Sequence, residues 1–319
     1  MQNQAETQLL TQVARLYYKN DLTQQQIARR IGITRQRVSR LLKQARDMGI
    51  VQITINDPQY VDQQLEEELR CTFNLSEVIL TCMEEQEGVN LRNRIGLIAA
   101  EHIHTVLRDE MVVGIGWGRT LFEVVSSFPN NSAIRIHVTP LIGGIGDMAP
   151  FFQVNELARR MAEAYGGSYR FFHVPAFTSD VATHKALMKT QEVERVSSLW
   201  NKLDLAIVGI GHVEFQQMSS MFFGDHISPG TLAQLEAKGA VGDICGRFFD
   251  IQGKPIVPMA GVIGIDLHQL QSIPRVIAIA GGLEKVRAIL GALRGGWVKT
   301  LVTDTATARE VLMMNSERR

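Results

Sequence analysis

Four glycine-rich segments, each following an apolar run, are the first residues of this chain whose type and spacing suggest chemistry. They are residues 114–120, 143–146, 209–211 and 281–282. Glycine lets a ligand approach the backbone closely, and the start of a following helix offers free N–H groups to an anion. One such segment alone is most often a tight strand-to-helix turn, but four in one domain favour a site for a small phosphate.

Two charged residues stand close to these segments. Lys285 lies one turn beyond residues 281–282, where the helix dipole disfavours a cation, so a ligand role is somewhat favoured over a solvated lysine. Asp243, flanked by glycine and apolar residues in KGAVGDICGRFFD, can accept hydrogen bonds from sugar hydroxyls; the alternative is an aspartate that caps a turn. For Cys245 we expect only the packing of a small residue.

Other site chemistries find no support in the sequence. The first segment reads G-x-G-x-G rather than the G-x-G-x-x-G of a dinucleotide site, and no Walker A motif is present, so we expect no cofactor and no nucleotide hydrolysis. The histidines are scattered, and the i, i+2 spacing of His102 and His104 does not place them on a shared helix face. No metal site is therefore predicted.

A basic helix near the N-terminus carries a second pattern. Residues 22–56 predict two helices joined by a tight turn at Gly32, with Gly49 ending the second helix before a β wing at 50–56. The second helix carries side chains that suit phosphates and major-groove base edges: Thr34, Arg35, Gln36, Arg37, Ser39, Arg40 and Lys43. The alternative is an amphipathic hairpin with a solvated basic face. The order of these features near a terminus favours a helix-turn-helix DNA reader.

Local signals and charge agree with that interpretation. Thr23 is a candidate N-cap with Gln26 completing a capping box, Thr34 is a second cap, and an amphipathic helix over 7–18 is expected to pack beneath the pair.

Residues 1–56 contain nine basic and three acidic residues, a net charge of +6, whereas the whole chain is neutral. The remainder therefore carries −6, which indicates a nucleic-acid-binding head on a more acidic body.

The remaining chain predicts an α/β domain. Short apolar strands alternate with helices of 10–15 residues from position 77 to position 313, which is typical of a parallel sheet. Among these elements we expect strands over 77–81 and 168–174 and a helix over 181–199. Residues 57–75 are expected to form a linker helix whose Val61, Leu65 and Leu69 either pair with a second copy or dock on the body. The predicted domains are thus a winged helix-turn-helix at 1–56, this linker, and a Rossmann-like domain at 76–319.

Targeting signals and membrane spans are not evident. The first residues lack a basic region followed by an apolar run, and no apolar stretch approaches the roughly 18–20 residues that a membrane span needs. Three cysteines without a CxxC pair fit a reducing compartment. We therefore expect a soluble cytoplasmic protein.

The chain resembles the SorC family of sugar-responsive bacterial transcriptional regulators. The segments that carry the resemblance are YYKNDLTQQQIARRIGITRQRVSRLL, GIGWGRTL, PLIGGIGD, AIVGIGHV, GAVGDICGRFFD and IAGGLEKVRAILGALRGGWVKTLVTD. The resemblance implies an N-terminal winged helix-turn-helix and an effector domain similar to glucosamine-6-phosphate deaminase and ribose-5-phosphate isomerase. It also implies a homo-oligomer, typically a tetramer, whose binding to operator DNA changes when a phosphorylated sugar or polyol binds.

The resemblance also assigns effector contacts. Carried over residue by residue, it implies phosphate contacts from Gly116, Trp117, Gly118, Arg119, Thr120 and Lys285. It implies sugar contacts from Asp243, Gly143, Gly144 and Asn155, and from the segment 175–177. We expect a regulator and not an enzyme, because Asp243 is the only general base that the sequence suggests. The alternatives are a sugar-phosphate isomerase or deaminase fused to a DNA-binding head, and a structural nucleoid protein, which leaves the glycine-rich strand ends unexplained.

Overall fold

The computed structural model describes residues 2–18, 20, 22–47, 51, 62–81, 89–129, 134–146, 150–213, 229–257 and 261–317. The chain divides into two compact units, Met1–Gln59 and Tyr60–Arg319. Over the described residues, every helix is too short or too polar to cross a lipid bilayer.

The described part of the first unit consists of three helices around a small apolar core. They are α1 (Gln2–Tyr18), α2 (Gln24–Ile31) and α3 (Arg35–Asp47). The predicted capping box is present, because Gln26 N donates to Thr23 Oγ1 at 3.3 Å and Thr23 N donates to Gln26 Oε1 at 2.9 Å. Gly32 ends α2 in the left-handed conformation that glycine favours, with φ 76°. The wing at 50–56, apart from Val51, and Gly49 lie outside the described residues.

The second unit contains a seven-stranded parallel sheet in its described part. Its strands are β1 (Glu77–Thr81), β2 (Val112–Ile115), β3 (His137–Pro140), β4 (Ser168–Tyr169), β5 (Leu205–Gly209), β10 (Arg275–Ile279) and β11 (Thr300–Asp304). Their order across the sheet is β1-β11-β10-β5-β2-β3-β4, and every pair is parallel. The predicted α/β class is therefore confirmed.

The described helices of the second unit are α4 (Gln63–Phe73), α5 (Val89–Val106), α6 (Arg119–Ser126), α7 (Val154–Ala164), α8 (Val181–Met188), α9 (Gln191–Trp200), α10 (Pro229–Ala237), α11 (Leu267–Ser272), α12 (Val286–Arg294) and α13 (Thr305–Ser316). Most of them cover the two faces of the parallel sheet, whereas α8 buries no residue and α10 belongs to a separate small apolar cluster. Alternate residues of β5 belong to two different apolar clusters, Leu205 and Ile207 to one, Ala206 and Val208 to the other. Because side chains alternate along a strand, the clusters lie on opposite faces.

A second, antiparallel sheet was not predicted. Its strands are β6 (Gly211–His212), β7 (Ala240–Ile244), β8 (Arg247–Asp250) and β9 (Pro255–Ile256). These strands are short and β6 and β9 have two residues each, so they carry little of the alternation by which strands are recognised. The sheet nonetheless contributes to the cavity described below, because β6 and β7 supply three of its lining residues, Gly211, His212 and Asp243.

Two predicted elements differ from the structure. The helix expected over 181–199 is divided into α8 and α9, because Thr190 adopts an extended conformation and starts a new helix. The strand expected over 168–174 forms sheet only at Ser168–Tyr169. The helix predicted in the linker docks on the body of the second unit, since Leu65 and Leu69 of α4 are buried in the larger apolar cluster.

The direction of chain progression reverses between β2 and β5. From β2 the chain continues outward to β3 and β4, whereas from β5 it continues in the opposite direction to β10 and β11. Two neighbouring strands whose connections diverge leave a crevice beyond their carboxyl ends, and open α/β sheets bind ligands there.

Candidate functional site

A cavity of about 150 Å³ lies at this crevice, beyond the carboxyl ends of β2, β5 and β10. Its walls come from the segments that follow these strands, from the start of α5 and from the antiparallel sheet. The lining residues are Arg92, Gly116, Trp117, Gly118, Arg119, Thr120, Leu121, Gly209, Ile210, Gly211, His212, Asp243, Cys245, Gly281, Glu284 and Lys285. Three of the four glycine-rich segments thus meet at one point.

Seven of the ten predicted effector residues line this cavity. They are Gly116, Trp117, Gly118, Arg119, Thr120, Asp243 and Lys285. The other three, Gly143, Gly144 and Asn155, are not among the lining residues, and their contacts are described below.

The first loop is shaped by β2 and by the start of α6. Gly116 continues the sheet, its N–H donating to Ile207 O at 2.9 Å, and Gly118 then takes φ 118°, a conformation that L side chains rarely adopt. Gly118 precedes the first residue of α6, so the first N–H groups of that helix are near the cavity. The half-buried ring of Trp117 lies 6.2 Å from that of Phe177, in the predicted 175–177 segment.

The turn that carries Lys285, residues 281–285, is held by hydrogen bonds to side chains at the start of α13. Gly282, with φ 105°, donates its N–H to Asp304 Oδ2 at 3.0 Å and to Thr307 Oγ1 at 2.9 Å. Both anchoring side chains are buried, and Asp304 also caps α13. The half-buried Lys285 side chain reaches across to β5, where Nζ donates to Ile210 O at 2.9 Å. The ammonium group is therefore held at the floor of the crevice.

Desolvation shifts the titration of two groups in the cavity. Burial lowers the pKa of the Lys285 ammonium, and the charges of Glu284 and Asp243 oppose that shift only in part. Burial raises the pKa of Asp243 to about 6, although Gly246 N donates to its Oδ2 at 2.9 Å and Lys285 lies nearby. Asp243 therefore braces a hairpin turn and also lines the cavity, and its contact with sugar hydroxyls stays a prediction.

Further charged and polar residues in the cavity were not predicted as ligands. Arg92 comes from the start of α5, His212 from β6 and Glu284 from the turn before α12. Burial lowers the pKa of Arg119, and repulsion from Arg92 adds to that effect. The sequence indicates Arg92 only weakly, because it lies near the start of a helix that follows a strand. His212 has no recognisable pattern, because it belongs to a two-residue strand.

The segment 143–144 makes backbone contacts elsewhere. Gly143 N donates to Ile263 O at 2.9 Å, Gly144 N donates to Val174 O at 2.8 Å, and Gly144 O accepts from Ala176 N at 2.8 Å. The Asn155 amide is engaged with one backbone residue, accepting from Phe172 N at 2.8 Å and donating to Phe172 O at 3.2 Å. These contacts account for the residue types without a ligand, and an effector contact at these three positions stays a prediction.

The predicted DNA-reading side chains of the first unit are all exposed to solvent. Val38, Leu41, Leu42 and Ala45 of α3 are buried in the core, whereas Thr34, Arg35, Gln36, Arg37, Ser39, Arg40 and Lys43 are all exposed. Thr34 also accepts a hydrogen bond from Arg37 N at 3.2 Å, as expected of an N-cap. One face of α3 is therefore basic and free of core packing.

Comparison with known proteins agrees with both units. The Sugar-bind family model, a sugar-binding domain, matches residues 57–313, and the model for region 4 of sigma-70 matches residues 8–47. The chain is 32% identical to the sorbitol operon regulator of Klebsiella pneumoniae over 98% of this chain and 100% of that protein. The chain belongs to the SorC family. It is a DNA-binding transcriptional regulator with a sugar-binding domain, and the related proteins are regulators, not enzymes.

Two further comparisons extend this assignment. The SorC-family regulator is 30% identical to the deoxyribonucleoside regulator of Bacillus subtilis over 96% of this chain and 97% of that one. Its structure matches the crystal structure of the full-length sorbitol operon regulator SorC from Klebsiella pneumoniae with a TM-score of 0.74, covering 96% of this chain and 98% of that chain. The expected fold and the expected class of function are both confirmed.

Proposed function

We propose that this SorC-family regulator controls a carbohydrate-utilisation operon in the cytoplasm, and that a phosphorylated sugar or polyol in the cavity controls its binding to operator DNA. The observation that carries the proposal is the meeting of Arg92, Arg119 and Lys285 in one cavity with the start of α6. Cations and free helical N–H groups together form the environment that a phosphate group prefers.

The phosphate contacts follow from this arrangement. The loop from Gly116 to Thr120 contributes backbone N–H groups at the start of α6, and Lys285 contributes a desolvated ammonium group. An ammonium group with a lowered pKa gains from an anionic partner, because the anion restores the charged form that burial disfavours. The phosphate is expected between this loop and Lys285.

The carbohydrate part of the effector is expected against Asp243 and Trp117. A buried carboxylate accepts hydrogen bonds from hydroxyl groups, and a half-buried indole offers an apolar face to the carbon skeleton. Two of the relatives are named as regulators of sorbitol and of deoxyribonucleosides, which supports a small polyol or sugar as the compound sensed. The cavity volume of about 150 Å³ also suits a small ligand.

The DNA contacts are expected from the exposed face of α3, with Arg37 and Arg40 among the residues that reach phosphates and bases. We propose that the active form is a homo-oligomer, a dimer or a tetramer, so that two recognition helices meet the same duplex face about 34 Å apart. A pseudo-palindromic operator would follow, and binding would weaken steeply with salt because each cation–phosphate contact releases a counterion.

The route between effector and DNA is expected to pass through α4. Asp62 caps α4 by accepting from Leu65 N at 3.1 Å, and its other oxygen accepts from Arg309 of α13 at 3.0 Å. The N-cap of the same α13 is Asp304, which accepts from Gly282 N in the turn before Lys285. One helix thus connects this turn with Asp62, the N-cap of α4.

Ligand binding is tested by a thermal-shift screen of the full-length protein with phosphorylated and unphosphorylated forms of the same sugars and polyols. A ligand that binds only the folded state raises the melting temperature. For a phosphorylated hit, Lys285→Met should weaken binding about 10- to 100-fold, the loss expected for a charge-assisted hydrogen bond. Lys238→Ala, which removes an exposed lysine, is the matched control. Binding of only unphosphorylated compounds would refute the phosphate assignment.

DNA binding is tested with a duplex selected from a randomised pool by the wild-type protein. Arg37→Ala should weaken binding to this duplex about 5- to 150-fold, the loss expected for one base contact, and leave ligand binding unchanged. Arg195→Ala, on the exposed side of α9, is the control. Unchanged operator affinity in the Arg37 variant would contradict the assignment of α3.

The route through α4 is tested by the ratio of operator affinities with and without saturating ligand. Arg309→Ala should reduce this ratio about two- to fivefold, the range expected for a surface ion pair. The affinity for operator without ligand and the affinity for ligand without operator should change little. Arg309→Lys keeps the charge and should keep most of the ratio. A full ratio in the alanine variant would exclude the Asp62 contact from the route.

A further inference from the structure

Glu284 is an acid in a place where the proposed function expects an anionic ligand. It lies in the first turn after the glycine pair 281–282 and lines the same cavity as Lys285. Its carboxylate is folded back over the turn, because a Cβ at position 282 would stand 2.5 Å from Glu284 Oε2 and 2.7 Å from Oε1. The absence of a side chain at Gly282 is therefore what gives this carboxylate room.

The charge of Glu284 acts on the cations that would receive a phosphate. It favours the charged forms of both Arg119 and Lys285, against the burial that lowers the pKa of each. Arg92 has the opposite effect, since its positive charge lowers the pKa of the same two groups. Glu284 is thus an exposed carboxylate that lines the same cavity as three cationic side chains, Arg92, Arg119 and Lys285, among the described residues.

We infer that Glu284 serves as an internal counter-ion, which the phosphate of the effector must displace from the cations of the cavity. This inference rests on the proposed function and states which anions the site accepts. A ligand with a single negative charge only takes the place of the Glu284 carboxylate, so it gains little electrostatic binding energy. A phosphate carries about −1.5 to −2 charges near pH 7, so its exchange for Glu284 leaves a net attraction.

The consequence is a threshold on ligand charge. Displacing Glu284 costs the same binding free energy for every anion. Sugar acids and other monoanions then bind only at ligand concentrations too high to be useful, while phosphate esters still bind at lower ones. Removal of the charge at position 284 should therefore strengthen the binding of monoanions and of phosphates by the same factor. A residue that instead contacted sugar hydroxyls would leave the binding of free phosphate unaffected.

The test compares wild type with Glu284→Gln, titrating the full-length protein with inorganic phosphate and with acetate, and following tryptophan fluorescence and melting temperature. We expect both anions to bind about tenfold more tightly to the glutamine variant. We also expect a lower melting temperature without anions, because the cations lose their counter-ion. The anion affinities of Glu284→Asp should lie between those of wild type and of Glu284→Gln, since the shorter side chain moves the carboxylate away from Gly282. Glu236→Gln, an exposed change on α10, is the matched control.

The outcomes separate the inference from the proposed function. If wild type binds inorganic phosphate and the glutamine variant binds it equally or more weakly, the counter-ion role is wrong and the phosphate site stands. If neither protein binds phosphate, with or without an attached sugar, the phosphate site and the counter-ion role both fail. A gain for phosphate without a gain for acetate would overturn the charge threshold.

Discussion

Two glycine-rich strand ends of the same sheet, 116–118 after β2 and 143–144 after β3, follow neighbouring strands and have opposite surroundings. The first lines the cavity, and a Cβ at Gly116 would meet its nearest atom, Cys245 Sγ, at 3.3 Å. The second is enclosed by backbone, and a Cβ at Gly143 would stand 2.5 Å from Val174 O. Glycine lines a cavity at one end and permits close chain packing at the other, although both strand ends are glycine-rich.

The topology of the sheet explains this difference. The end of β2 borders the point at which the chain reverses its progression, so β5 on one side leaves the crevice open. The end of β3 lies one strand further out, where the segments around Val174 and Ile263 bond to the glycine backbone. The strand ends of β2 and β5, which flank the reversal, line the cavity together with the end of β10, whereas the end of β3 does not. The place of a strand in the sheet, and not its glycine content, thus separates 116–118 from 143–144.

The largest expected effect comes from adding one methyl group at each of the two strand ends. Gly143→Ala places that group against the carbonyl groups of Val174 and Pro175, which cannot move away as a side chain would. We expect a loss of more than about 4 kcal/mol in the free energy of unfolding, to the point where little folded protein is recovered. Circular dichroism and denaturant unfolding measure this loss.

The matched variant Gly116→Ala should remain folded. Its methyl group meets a thiol and a leucine side chain at ordinary or slightly short distances, which cost about 1–2 kcal/mol. Its affinity for a phosphorylated ligand should fall, because the methyl group enters the cavity wall. Equal destabilisation by the two substitutions would break the comparison.

A smaller effect is expected at Asn155, on the packing side. Asn155→Ala leaves the buried N–H and C=O of Phe172 without their partner, which should lower stability by about 1–3 kcal/mol at every pH from 5 to 8. Ligand affinity should stay within about twofold of wild type by calorimetry, since a lost ligand hydrogen bond would cost more. Weakened ligand binding with an unchanged melting temperature would instead support Asn155 as the effector contact that the sequence predicts.

The smallest expected effect is a pH dependence on the cavity side. The pKa of Asp243 is raised to about 6 from 3.8, so ionisation in the folded state is unfavourable. The stability that the protonated form contributes is fully present below pH 4 and is lost as the pH rises through 6. Asp243→Asn, which can still accept from Gly246 N, should therefore gain melting temperature relative to wild type by about 3–6 °C between pH 4 and pH 7.

Differential scanning calorimetry of both proteins across this range measures the gain. A pH-independent difference between them would show that Asp243 is not desolvated, and that the cavity side resembles the Asn155 side in its electrostatics.

The sequence by itself determined the elements with strong local signals. The capping box at Thr23, the turn at Gly32 and the buried-to-exposed alternation of α3 follow from interactions between residues at most four positions apart. The strand at Glu77–Thr81 was predicted with the bounds that the structure has, because a buried strand of a parallel sheet is a continuous apolar run. The basic head follows in the same way from composition alone.

Only the tertiary structure decided which residues meet in the cavity. Asp243, Lys285 and Gly116 are far apart in sequence, and their proximity depends on strand order and on the small antiparallel sheet, neither of which leaves a local pattern. The same reason separates Gly116 from Gly143, and brings Arg92 and Glu284 into the site. Interactions within a few residues act through propensity and periodicity, which a sequence displays, whereas long-range contacts depend on how the whole chain closes.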